Sequence, residues 1–130
     1  MSQIGLGEIR SAEAWRASLA EFLGTLLFVF IGAGSVAVTG QVIGDDLTSA
    51  RLITIALAHG LAIVLLVTAI GHLSGGHINP VVTLAALIMR KITLVKGAMY
   101  IAMQLLGAIV GALLLKAVIP ISGTLGSHGL

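Results

Sequence analysis

Of 130 residues, 58% are hydrophobic and only 9% are charged, and the mean hydropathy of +1.13 lies far above that of an ordinary soluble domain. The chain therefore reads as an integral membrane protein. Its net charge of +2 does not point to nucleic acid, because seven basic residues are scattered among apolar runs with 4% aromatic content, and with no cysteine there is no disulfide, thiolate metal site or cysteine nucleophile.

Residues 1–18 carry Glu8, Arg10, Glu13 and Arg16 around Trp15 and read as a polar lead with a short interfacial helix, with no signal-peptide pattern before it. From Phe22 to Gly44 there are 23 residues without a charge, roughly 34 Å of helix and enough to cross a bilayer. The first span is placed at about 19–44. Asp45, Asp46 and Arg51 form a polar loop, and the uncharged run of 19 from Leu52 to Ile70 is the second span. The third is placed at 97–119, with Lys116 close enough to its end to snorkel, and 120–130 form a Gly/Ser-rich external loop or tail.

Between the second and third spans lies the stretch SGGHINPVVT, followed by apolar residues only as far as Met89. Pro80 to Met89 makes roughly 15 Å of helix, half of a crossing. Asn79 is placed as N-cap and Pro80 as the first helical residue, where the missing N–H costs nothing. Gly71, Gly75 and Gly76 give the chain freedom to turn back. Asn-Pro can also cap a helix lying on the membrane surface, but the length deficit, the glycines and the flanking spans favour a re-entrant loop and half-helix over 71–89, lining a cavity. The cluster Arg90, Lys91 and Lys96 predicts that this side is cytoplasmic, with the N-terminus inside and the tail outside. A half-helix ending mid-membrane brings about half a positive charge and free N–H donors there, a device that repels cations and offers hydrogen bonds to neutral molecules.

AEFLGTLLFVFIGAGS (Ala20 to Ser35), ALAHGLAIVLLVTAIGHLSGGHINPVVTLAA (Ala56 to Ala86) and YIAMQLLGAIVGALLLK (Tyr100 to Lys116) resemble the first three membrane segments of the aquaporins, or major intrinsic proteins. The resemblance covers nearly the whole chain and implies an all-α membrane fold, an aquaporin-like half of three transmembrane helices plus one re-entrant half-helix. It also implies a passive channel for water and small neutral solutes such as glycerol, ammonia or hydrogen peroxide, with neither cofactor nor enzymatic chemistry. A plasma or vacuolar membrane is the expected location, and the complete form is expected to be a homotetramer of separately conducting subunits.

Residue by residue, the resemblance implies that Asn79 donates its amide to passing water, with Pro80 and Val81 completing the motif. The carbonyls of Gly75, Gly76 and His77 are expected to line a vestibule. His59, 20 residues before Asn79, falls at the second-span position of the family's constriction. Histidine there resembles the vacuolar plant subgroup and suits broader selectivity; taken alone, it could equally bond a neighbouring helix. Glu21 and Gln104 are expected to support the re-entrant loop, while Gly107 and Gly111 form a G-x-x-x-G helix-packing pair. His72 is read as a loop-packing residue and His128 as a tail residue.

Two departures stand out. Val81 replaces the usual alanine of Asn-Pro-Ala, a variant that also resembles divergent plant members. In addition, the 130 residues contain one Asn-Pro motif where the family has two inverted repeats. Three spans and one half-helix cannot enclose a pore, so a second repeat or partner chain is expected. The alternative is a non-conducting half that assembles with full-length channels and regulates them.

Overall fold

A computed structural model of the chain describes residues 3–119. A short 3-10 helix, Leu6–Arg10, precedes four α-helices: α1 (Ala12–Ile43), α2 (Ser49–Ser74), α3 (Pro80–Ile88) and α4 (Leu94–Val118). Each α-helix begins on a residue whose side-chain oxygen replaces a missing intrahelical acceptor: Ser11 accepts from the Ala14 N–H, Thr48 from Arg51, Asn79 from Val81 and Thr93 from Lys96.

With 32, 26 and 25 residues, α1, α2 and α4 are long and apolar enough to cross a membrane. The nine residues of α3 give about 13 Å of helix, well short of a roughly 30 Å hydrocarbon core. The described residues are thus all-helical, with three candidate spans and one short helix, as the resemblance to an aquaporin-like half implies. Packing is centred on α1, which contacts both α2 and α4, while α3 rests on α4.

The helices differ in extent from the segments read in the sequence. Residues 12–18 are the first turns of α1 and not part of a separate interfacial helix. Glu and Arg are good helix formers, and the Ser11 cap lets α1 start before the charge-free run does. Trp15 tethers the preceding turn by donating its indole N–H to the Ile9 carbonyl at 2.8 Å. Likewise α2 continues through Gly71 and His72 to Ser74, and the chain first turns at Gly75. His72, expected to pack in the loop, is instead exposed on the last turn of α2. The expected tail 120–130, with His128, lies outside the described residues.

The arrangement of polarity is inverted relative to a soluble bundle. Leu57, Leu61, Val64 and Leu65 of α2 face outward, while the largest fully buried side chains include Tyr100, Gln104, Glu21 and Thr83. Lipid and partner protein accept an apolar exterior, so polar bonding is concentrated inside.

Close approach of α1 and α4 depends on two glycines one turn apart. A Cβ on Gly107 would run into the Phe22 carbonyl oxygen, and one on Gly111 into that of Leu26. The G-x-x-x-G pair thus lets the backbones meet directly. At the other end of α1, the buried Arg51 of α2 donates from Nε to Thr39 Oγ1 at 3.3 Å and from Nη2 to the Val36 carbonyl at 3.2 Å. It also donates to the Asp45 carbonyl, tying the α1–α2 connection to the helix it leaves.

Candidate functional site

Between α2 and α3 the chain reverses in five residues, 75–79, and the backbone there is unusual. Gly75 and Gly76 take φ of 92° and 65°, and Ile78 takes 54°. The left-handed region is natural for glycine but rare for a β-branched residue. Something must hold Ile78 there.

That something is Glu21, fully buried on α1. Its Oε1 accepts from Ser74 Oγ at 2.6 Å and from the His77 N–H at 2.8 Å. Its Oε2 accepts from the Ile78 N–H at 2.6 Å and from Gln104 Nε2 at 2.8 Å. Four donors thus converge on two oxygens, two of them main-chain N–H groups of the turn itself. A carboxylate needs no cation at membrane depth when charge-assisted hydrogen bonds satisfy both of its oxygens. The Ile78 carbonyl is bonded in turn by Thr25 Oγ1 of α1 at 3.4 Å, so both polar atoms of this residue are held by α1.

Asn79 follows in extended conformation, and its Oδ1 accepts from the Val81 N–H at 2.8 Å. Capping fixes the amide orientation: with the oxygen turned back to the helix, the Nδ2 donors point away from it. No described residue accepts from Nδ2, and Asn79 is exposed. Pro80 occupies the first helical position, and Val81 is 71% exposed at the tip, beside exposed Val82.

Under this tip lies a polar layer of which the sequence reading singled out only Gln104. Thr83 and Gln104 are fully buried, and Gln104 Nε2 donates both to Glu21 and, at 2.9 Å, to Thr83 Oγ1. Thr83 Oγ1 lies 3.3 Å from the Asn79 carbonyl, to which it donates, and 3.0 Å from His77 Nδ1. The His77 ring stands edge-on to Tyr100, whose hydroxyl donates to the Ser74 carbonyl at 2.9 Å. Hence the entry to the turn (Ser74), its middle (His77, Ile78) and its exit (Asn79) are all bonded to one network spanning α1, α3 and α4. A signal for Tyr100 did exist: Tyr100, Gln104, Gly107 and Gly111 recur at helical spacing and form the buried stripe of α4.

His59 lies apart from this cluster, on the α1–α2 side. Its Nδ1 donates to the Ile55 carbonyl at 2.9 Å, which leaves Nε2 as the free ring nitrogen. The ring meets Phe28 edge-on and packs over Gly32, where a Cβ would lie 2.6 Å from Nε2. Gly75 is exposed, whereas Gly76 and His77 are half-buried.

Comparison with known proteins agrees with this architecture. The family model described as Major intrinsic protein matches residues 8–128. Aquaporin-2 of Homo sapiens is 47% identical over 113 residues, covering 87% of this chain and 40% of that protein. Lens fiber major intrinsic protein of Rattus norvegicus is 44% identical over 115 residues, 87% of this chain and 41% of the relative. A sequence of Aquaporin-2 from Equus caballus is 50% identical over 105 residues, 81% of this chain and 91% of its own length. The chain thus spans about two-fifths of the first two relatives.

Proposed function

Because the chain belongs to the major intrinsic protein family, we propose that it supplies one half of a passive transmembrane channel for water and small neutral solutes such as glycerol, ammonia and hydrogen peroxide. The observation that carries this reading is the state of Asn79: its oxygen is committed to the helix cap while its two N–H donors stay unbonded among the described residues. A fixed pair of donors, backed by the positive end of the α3 dipole, binds the oxygen of a passing water and disfavours cations. Glu21 and Gln104 act at one remove. They hold the turn that sets the position of Asn79, and catalyse nothing.

Depth supports the same reading. Gln104 lies ten residues into α4, about 15 Å along a helix of roughly 37 Å. The tip bonded to this layer therefore sits near mid-membrane, where a second half-helix from the opposite face meets it in an inverted-repeat channel. We assign that second repeat to further sequence or to a partner chain, with a homotetramer as the complete form. The exposed Val81 and Val82 are the surface it covers. The cluster Arg90, Lys91 and Lys96 favours, by the excess of basic residues in cytoplasmic loops, an orientation with the N-terminus and the α3–α4 turn on the cytoplasmic side. His59, with its free Nε2 facing away from its own helix backbone, is the constriction residue contributed by α2 and favours polar solutes somewhat larger than water.

The test is osmotic water permeability of liposomes by stopped-flow light scattering. The chain alone should give background flux, and the chain joined to the complementary half of an Aquaporin-2 relative should conduct, with Asn79→Asp abolishing the gain. Flux from the chain alone would overturn its status as a half. No flux from the joined protein, with both parts inserted and folded, would remove the channel reading and leave a regulatory partner of full-length channels.

A further inference from the structure

At the end of the bundle carrying the α3–α4 turn lies a cavity of about 230 Å³ lined by Gln3, Glu8, Arg90, Lys91, Thr93 and Lys96 among others. Three cationic residues and one acidic residue line it; Lys96 Nζ lies 5.9 Å from the centroid of the Tyr100 ring, and the Glu8 carboxylate is engaged by the Thr93 hydroxyl. The N-terminal segment closes one wall. The Leu94 N–H donates to the Gln3 carbonyl at 3.1 Å and the Val95 N–H to that of Ile4 at 3.0 Å. These bonds consume the free donors at the start of α4, so an anion here would be held by side chains rather than by the helix end.

The backbone supplies a second, independent observation. α3 ends in a Schellman motif: the Lys91 N–H bonds to the Ala86 carbonyl and the Arg90 N–H to that of Leu87, both at 2.9 Å. The residue of this motif that must adopt the left-handed conformation is Arg90, with φ of 54°. Glycine is the unstrained choice at that position, and an arginine there is a local cost that packing does not explain, since its side chain is exposed. Strain of this kind is kept where the side chain has a task. Next in sequence to the cavity-lining Arg90 and Thr93 are the exposed apolar residues Met89 and Leu94, with exposed Ile88 one place before Met89.

We propose that this cavity binds the phosphate headgroup of an anionic phospholipid, with Arg90, Lys91 and Lys96 around the phosphate and Ile88, Met89 and Leu94 against the acyl chains. The apolar rim selects a lipid over free phosphate. The site therefore couples the lipid composition of one leaflet to the turn on which α3 is mounted.

The full chain in detergent would be titrated with dioleoylphosphatidylglycerol, dioleoylphosphatidylcholine or inorganic phosphate, and bound ligand counted by native mass spectrometry. Phosphatidylglycerol is expected to bind at least about tenfold more tightly than phosphatidylcholine, and Arg90→Gly and Lys91→Gln should each weaken it about fivefold. Arg90→Gly should at the same time raise the thermal unfolding midpoint, a combination that a purely structural arginine does not produce. Equal affinity for the two lipids, or unchanged affinity in the Arg90→Gly/Lys91→Gln double variant, would overturn the site. Displacement of phosphatidylglycerol by equimolar inorganic phosphate would overturn the lipid assignment, and a lowered midpoint in Arg90→Gly would overturn the strain argument.

Discussion

Replacing Glu21 by glutamine tests whether the carboxylate holds the turn. The side chains are nearly isosteric, but glutamine presents one acceptor oxygen and one NH2 group to a site where two donors point at each oxygen. If the NH2 takes the Oε1 position, Ser74 can rotate and accept from it, whereas the His77 N–H cannot move. If it takes the Oε2 position, the Gln104 amide can flip, whereas the Ile78 N–H cannot. Either way one main-chain donor is left facing another donor, and the surviving bonds lose their charge assistance. A hydrogen bond to a charged group contributes about 1.5–3 kcal/mol, so the turn should be destabilised locally by about 3 kcal/mol. That corresponds to roughly a hundredfold faster opening at the affected amide. Hydrogen exchange of His77 and Ile78, read by mass spectrometry on the reconstituted chain, is the assay, with α2 amides around Leu61 as an internal reference. Exchange at both residues within about threefold of the wild type would refute the scaffold role of Glu21.

Other substitutions separate the remaining contributions. Gly107→Ala drives a Cβ into the Phe22 carbonyl and should cost about 1–3 kcal/mol in thermal unfolding. Gly60→Ala, with nothing within 4 Å, should be neutral or gain up to about 1 kcal/mol. Arg51→Lys cannot reach Thr39, Val36 and Asp45 at once, and a fall of about 2 kcal/mol is expected, with the loss concentrated in exchange at the α1–α2 connection. At Asn79, alanine removes the α3 cap and should cost about 1 kcal/mol, while aspartate caps equally well and should leave the unfolding free energy unchanged within about 0.5 kcal/mol. Equal melts for Asn79→Ala and the wild type would contradict the capping geometry.

Most of the fold was readable because membrane crossing imposes a length test that charge-free runs pass or fail. The half-helix failed it, and Asn79-Pro80 marked its start. Helix limits were less readable, since α1 extends past the charged residues Glu13 and Arg16 and α2 runs through Gly71; neither a charge nor a glycine ends a helix that packing and a cap support. Glu21 and Gln104 stood out as intramembrane polar residues, and they do meet at the turn. Ser74 and Thr83 did not stand out. Hydroxyls are common in spans, and only the three-dimensional convergence on residues 74–79 separates these from Thr54 or Thr68, which bond back to their own helix. The left-handed Ile78 and Arg90 were not readable at all, because neither residue type prefers that conformation.

The long sequence separation of the Glu21 contacts also sets an order in time. Its partners lie 53, 56, 57 and 83 residues further along the chain. At ribosomal speeds of about 5–20 residues per second, the last of them emerges roughly 4–17 s after Glu21 itself. Three of the four donors arrive together with the re-entrant turn, and the fourth only with α4. The carboxylate is thus satisfied in two stages, first by the turn and then by α4. Its full set of bonds is complete only once Gln104 has been made, however early α1 itself is finished.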